Sequence, residues 1–107
     1  MADNLFQIKN LCTQEKLRWT SHIMTRLLQR GISLEDVKST ILSGEIIENY
    51  PDDYPYPSCL LLGKNSRNES FHVVCGITDE ELWLITAYRP SGEKWESDLK
   101  TRKVDAE

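Results

Sequence analysis

Two histidines and a set of arginines are the residues of this chain that could move protons beside an anion. His22, Arg26 and Arg30 recur at i, i+4 and i+8. On a helix that spacing drifts by only about 80°, so the three side chains form one polar stripe. Imidazole exchanges protons near neutral pH, and guanidinium binds phosphate through paired donors. His72 stands in a strand-like run between Phe71 and Val73. Two imidazoles can divide the work of general base and general acid. Tyr88 and Arg89 close a second strand-like run. A phenol there can donate a hydrogen bond or stack on a base, and Arg89 could stabilise a pentavalent phosphorane. Each residue also has a plainer reading. The stripe is then a solvated helix face, His72 a satisfied structural residue, Tyr88 core and Arg89 an ion-pair partner.

Other clusters are less specific. Glu45, Glu48, Asp52 and Asp53 lie beside Tyr54 and Tyr56. A hard metal needs several converging oxygens, so a solubilising edge or a docking surface for a basic partner suits them better. Lys94, Trp95, Lys100, Arg102 and Lys103 make a basic tail with one aromatic. It either contacts a polyanion or caps the domain. Cys12, Cys59 and Cys75 are odd in number and widely spaced, which reads as reduced, buried thiols rather than a zinc knuckle. A Gly-rich phosphate loop, H-E-x-x-H and a nucleophile elbow are all missing. No cofactor and no metal are therefore expected.

The elements that must position these groups follow from periodicity. Residues 1–16 read as an N-terminal helix, its apolar spacing (Leu5, Ile8, Leu11 or Cys12) running over 4–17. A second helix spans 21–30, capped by Thr20 or Ser21 and stopped at Gly31. A third begins at Ser33, with Glu35 and Asp36 in its first turn, and ends at Gly44. From residue 45 the period becomes that of strands: 45–50, 58–62, 70–77 and 81–89. Pro51, Pro55 and Pro57 break the chain between the first two. In the last strand Leu82, Leu84, Thr86 and Tyr88 are expected to alternate with Trp83, Ile85, Ala87 and Arg89. Residues 93–101 suggest a short helix, with Trp95 and Leu99 at i, i+4, and 101–107 a flexible tail.

At 107 residues the chain reads as one α+β domain, its core over about 17–100, with N-terminal helices on a four-stranded antiparallel sheet. No apolar run approaches the roughly 18 residues of a membrane span, and no secretory signal is visible. A cytoplasmic location is the expectation. The net charge of −4 argues against a surface that binds nucleic acid throughout. Its distribution is uneven. Residues 44–81 hold two Lys or Arg against eight Asp or Glu, whereas residues 1–43 hold six against four. If the two ends meet in space, they can form a local positive site on an acidic protein.

The combination Arg18-Trp-Thr-Ser-His22-x3-Arg26-x3-Arg30-Gly31-Ile32-Ser33, then Gly44-Glu-Ile-Ile-Glu48-x-Tyr50-Pro51-Asp52-Asp53-Tyr54-Pro55, His72-Val-Val74 and Ile85-Thr-Ala-Tyr88-Arg89-Pro90 with Trp95 resembles a bacterial domain-of-unknown-function family, DUF-4258. The resemblance covers roughly residues 17–100. It implies a grouping with the RelE- and BrnT-like toxins and their barnase-like ribonuclease fold. It implies a bacterial toxin–antitoxin system with a small zinc-finger antitoxin as partner, and metal-independent endoribonuclease activity on RNA. His22 and His72 match the family's histidine positions. They would share the acid and base roles, Arg26, Arg30 and Arg89 would neutralise the phosphate, and Tyr88 would orient it. Arg30, Lys94 and Trp95 are the expected substrate contacts. The alternative is a non-catalytic protein- or RNA-binding module on the same fold. The two readings part on whether the histidines and arginines converge on one phosphate-sized spot.

Overall fold

The computed structural model describes residues 4–104. Three helices come first: α1 (Leu5–Thr13), α2 (Ser21–Arg30) and α3 (Leu34–Ser43). The two-residue strand β1 (Leu17–Arg18) separates α1 from α2. Four strands follow: β2 (Glu45–Tyr50), β3 (Ser58–Lys64), β4 (Ser70–Ile77) and β5 (Leu82–Tyr88). They form one five-stranded sheet in the order β1-β5-β4-β3-β2. The expected four-stranded antiparallel sheet is thereby corrected to a mixed one. Leu17 and Arg18 pair in parallel with Leu82 and Trp83, and two residues are too few for any period to reveal.

Local chemistry sets the helix ends. The Thr20 hydroxyl accepts from the Ile23 N–H at 3.2 Å. Ser33 and Asp36 make a reciprocal capping box, each satisfying a donor the helix leaves open. Gly31 closes α2 at φ 68°, a left-handed conformation that costs glycine nothing. Gly63 is needed for another reason. A Cβ there would stand 2.1 Å from the Thr40 carbonyl oxygen, so its absence lets α3 lie directly on β3.

The helices cover one sheet face. Ile8, Leu27, Val37 and Ile41 pack on Leu61, Phe71, Val73, Cys75, Leu84 and Ala87. Burial of this apolar face is the main stabilising effect. The alternation in β5 changes phase partway. Val74 pairs with Thr86 but Cys75 with Leu84, so Ile85 is the extra residue of a bulge. Leu82, Leu84 and Ala87 are consequently all buried, and the single alternation expected over 81–89 does not hold.

The other sheet face carries no helix. Leu60 is 1% exposed, His72 0% and Trp95 3%, yet all three stand outside the helix-covered cluster. They belong to a second, smaller core. Its cover is the chain after β5, residues 90–104, a strap rather than the expected helix. The Asp98 carboxylate accepts from the Lys100 and Thr101 N–H groups, each at 2.9 Å, and Leu99 takes φ 62°. Such an aspartate-bound turn competes with helix. Trp95 and Arg102 form a β-bridge and the Lys103 N–H donates to the Lys94 carbonyl at 2.9 Å, so the tail expected to be flexible from residue 101 is held as far as Lys103. Residues 1–3 and 105–107 of the expected terminal segments lie outside the described residues.

Candidate functional site

His72 and Tyr88 are register partners on β4 and β5, both on the strap face. The Tyr88 hydroxyl lies 3.3 Å from His72 Nδ1, and the Leu99 carbonyl oxygen 2.7 Å from Nε2. A carbonyl only accepts, so Nε2 carries the proton and Nδ1 accepts from the phenol. Trp95 meets the imidazole edge-on, ring centroids 4.6 Å apart. Burial holds the His72 pKa below its ordinary value, opposed by the Leu99 carbonyl and Glu48 and aided by Arg102. The ring is fully enclosed, and its surroundings favour the neutral form.

A charged latch holds the strap. Arg102 donates from Nε and Nη2 to Glu48 at 2.8 and 3.0 Å, a fork that matches a carboxylate. Its guanidinium lies over the Trp95 ring at 4.7 Å. Tyr50 donates to the same carboxylate. Hydrogen bonding to Arg102 pulls the Glu48 pKa down against its partial burial, Tyr50 adding to the effect. Burial and Glu48 push the Tyr50 phenol up to about 12. Lys100 makes a second, weaker contact with Glu45 at 3.4 Å. Part of the acidic middle of the sequence is therefore spent on its basic end.

Above the latch is a pocket of about 370 Å³ lined by Tyr88, Arg89, Ser91, Lys94, Trp95 and Arg102. The Arg89 guanidinium is already engaged. It donates to the Arg30 carbonyl at 2.7 Å and the Gly31 carbonyl at 3.3 Å, lies 3.6 Å from Glu69 and stacks on Phe71 at 5.1 Å. This arrangement neutralises the C-terminal end of α2. Of the three basic residues that line the pocket, Arg89 directs its guanidinium to the end of α2 and Arg102 to Glu48, so Lys94 is the one with no carboxylate partner among the described residues.

The remaining expected residues lie elsewhere. Arg30 reaches from α2 to Thr86 Oγ1 at 3.1 Å and the Ala87 carbonyl at 2.7 Å, satisfying β5 where β1 has ended. His22 and Arg26 are exposed on α2, and their side chains make no hydrogen bond or ion pair among the described residues. His22 lines a different space, with Gly76, Trp83 and Ile85. Gly76 is four residues along β4 from His72, about 13 Å at strand rise. His72, Tyr88, Arg89, Lys94 and Trp95 therefore come together, and His22 and Arg26 do not join them. Glu48, Tyr50 and the Leu99 carbonyl are the site groups that residue-type reasoning missed. The signal available was charge pairing: Glu45 and Glu48 against Lys100 and Arg102.

Among the described residues no group of three or more His, Cys, Asp or Glu is placed to hold a metal ion. No described helix is long and apolar enough to cross a membrane. The fold and site define an α+β protein with a pocket lined by the end of β5 and by the strap that follows it. The family described as a domain of unknown function (DUF4258) matches residues 19–89, and the chain belongs to that family. No curated protein and no solved structure matches it. The matched stretch ends at Arg89, so it contains His72 and Tyr88 but not the strap.

Proposed function

We propose that this chain is an RNA-binding module on a RelE/BrnT-like ribonuclease-toxin fold, working in a bacterial toxin–antitoxin pair. It holds an RNA phosphodiester in the strap-end pocket. The observation that carries this reading is the meeting of Lys94 and the Glu48-paired Arg102 with Tyr88 and Ser91 around one space. Lys94 supplies a charge that no acid among the described residues neutralises, and the Ser91 hydroxyl supplies a donor to a phosphate oxygen. Such contacts position a strand without reading its sequence. The chain's net charge of −4 keeps binding away from this pocket weak. A small zinc-finger antitoxin, implied by the family resemblance, would be the protein partner.

A second reading is the metal-independent endoribonuclease. What favours it is the position of His72 beneath the pocket, touching Tyr88 and Trp95. Once the strap lifts, neutral His72 takes the proton of a ribose 2′-hydroxyl, and the 2′-oxygen attacks the adjacent phosphorus. The bond to the 5′-oxygen breaks as that oxygen receives a proton from Tyr88. Tyr88 recovers its proton from His72. The products are a 2′,3′-cyclic phosphate and a 5′-hydroxyl end. Binding ranks first because the closed strap occupies Nε2 and His22 lies too far away to serve as the second group.

The test is fluorescence anisotropy with a short single-stranded RNA, wild type against Lys94→Ala, alongside induced expression in a bacterial host with RNA read for new 5′-hydroxyl ends. Binding that Lys94→Ala weakens, without new ends, supports the module. New ends that disappear in His72→Asn establish cleavage. Absence of RNA binding and of new ends overturns both.

A further inference from the structure

We propose that the far end of the strap-side face, around Gly76 and Trp83, is a docking surface for a basic, extended segment of a partner protein that inserts one apolar side chain. This inference is independent of the RNA reading and concerns a different part of the molecule. The chain leaves the sheet after Tyr88, so the strap covers the His72 end and leaves the Gly76 end open. There the loop 51–57 stands beside β4 and β5 and closes a pocket of about 290 Å³ lined by His22, Tyr54, Tyr56, Gly76, Trp83 and Ile85. Tyr54 is 95% exposed, Ile85 45% and Tyr56 42%. Large apolar groups gathered in this way mark an interaction surface, whereas scattered ones do not.

The loop is already built. The Ile77 N–H donates to the Pro57 carbonyl at 3.1 Å, and Ser58 donates to Asp53. Little ordering entropy is left to lose on binding, which favours affinity.

Size and charge choose the occupant. The space falls just below the roughly 300–1,000 Å³ of small-molecule pockets, which suits a single side chain. No Lys or Arg lines it. Asp52 and Asp53 on the loop and Asp79 and Glu80 in the β4–β5 turn are exposed at this same end of the sheet. Of the nearby cations, Arg18 is paired with Glu81 at 3.1 Å, and Arg26 lies one turn further along α2 than His22. An acidic rim repels a phosphate backbone and attracts Lys and Arg. The occupant is therefore a basic segment carrying an aliphatic or aromatic anchor, not a nucleic acid.

The test uses the full chain and three labelled probes: a short Lys/Arg peptide with a central Leu, the same peptide with Ala at the centre, and a Glu-rich peptide with the central Leu. Anisotropy gives affinity, and amide shifts locate the contact. The expected result is saturable binding of the Leu-centred basic peptide, with shifts at Tyr54, Gly76, Trp83 and Ile85. Loss of the anchor, or Tyr54→Ala in the protein, weakens it about tenfold. Tyr54 is so exposed that its replacement leaves the fold intact. The proposal is overturned by equal binding of the acidic peptide, by indifference to the central Leu or to Tyr54→Ala, by shifts confined to Lys94 and Arg102, or by no saturable binding. A short RNA that shifts the same Gly76 and Trp83 amides also overturns it.

Discussion

The two ends of the strap-side face start from the same two strands and finish differently. At the His72–Tyr88 end the chain folds back, buries an imidazole and a tryptophan, and presents cations. At the Gly76–Trp83 end it leaves aromatic side chains open beside carboxylates. The difference shows how one sheet face can offer two chemistries without a second domain. β5 is the element that links them, and its bulge at Ile85 is where one regime passes into the other. Before the bulge Leu82 and Leu84 face the helices, and after it Ala87 does, leaving Tyr88 to meet His72.

The largest expected effect comes from removing the roof. Trp95→Ala empties a buried aromatic site and should cost about 3–5 kcal/mol of stability, read from urea unfolding. The same change should raise the His72 pKa toward its ordinary value, seen by following the imidazole resonances with pH. A loss under about 1 kcal/mol would mean that the strap is not a core. By contrast, Tyr54→Ala at the open end should stay within about 0.5 kcal/mol of wild type.

Acid should act on the two ends unequally. The His72 pKa is lowered by folding, so the unfolded chain binds the extra proton first. Stability from this group is complete above the unfolded value, about 6.5. It is lost as pH falls below 6.5 and through the folded pKa. Glu48, also lowered, adds a later loss below about pH 4.5, the ordinary value from which it departs. His72→Asn should flatten the first phase and leave the second, measured as unfolding free energy against pH.

Smaller effects sharpen the contrast. Arg102→Gln breaks a latch that is more than half exposed on the arginine side, and screening limits the cost to about 1 kcal/mol. Thr20→Ala removes the α2 cap and should cost about 1 kcal/mol while leaving His72 unchanged. Both are checked by the same unfolding curves.

Much of the frame was legible from residue patterns. The helix caps at Thr20, Ser33 and Gly31 and four of the strands follow from chemistry within a few residues of each position. β1 was not legible, because two residues carry no period and its partner is parallel and distant in sequence. Trp95 and Leu99 have helical spacing, which points to a helix, whereas Asp98 binds its own following backbone and makes a strap. The candidate site divided along the same line. His72, Tyr88, Arg89, Lys94 and Trp95 meet because register brings β4 and β5 together and the strap returns over them. His22 and Arg26 share a helix stripe with Arg30, and none of the three lines the pocket: Arg30 reaches Thr86 and the Ala87 carbonyl instead. The family resemblance supplied the histidine positions, but the distance between them depends on which end of the sheet each occupies.

The most direct test is the salt dependence of RNA binding, because it counts phosphate contacts. For a short single-stranded RNA, the slope of log affinity against log salt changes by about 0.7 per phosphate contact. Lys94→Ala should weaken binding and reduce that slope by about 0.7, whereas His22→Ala and Arg26→Ala should leave both unchanged. The reverse pattern, loss at His22 and Arg26 with Lys94 silent, would move the RNA site to the α2 stripe and contradict the account.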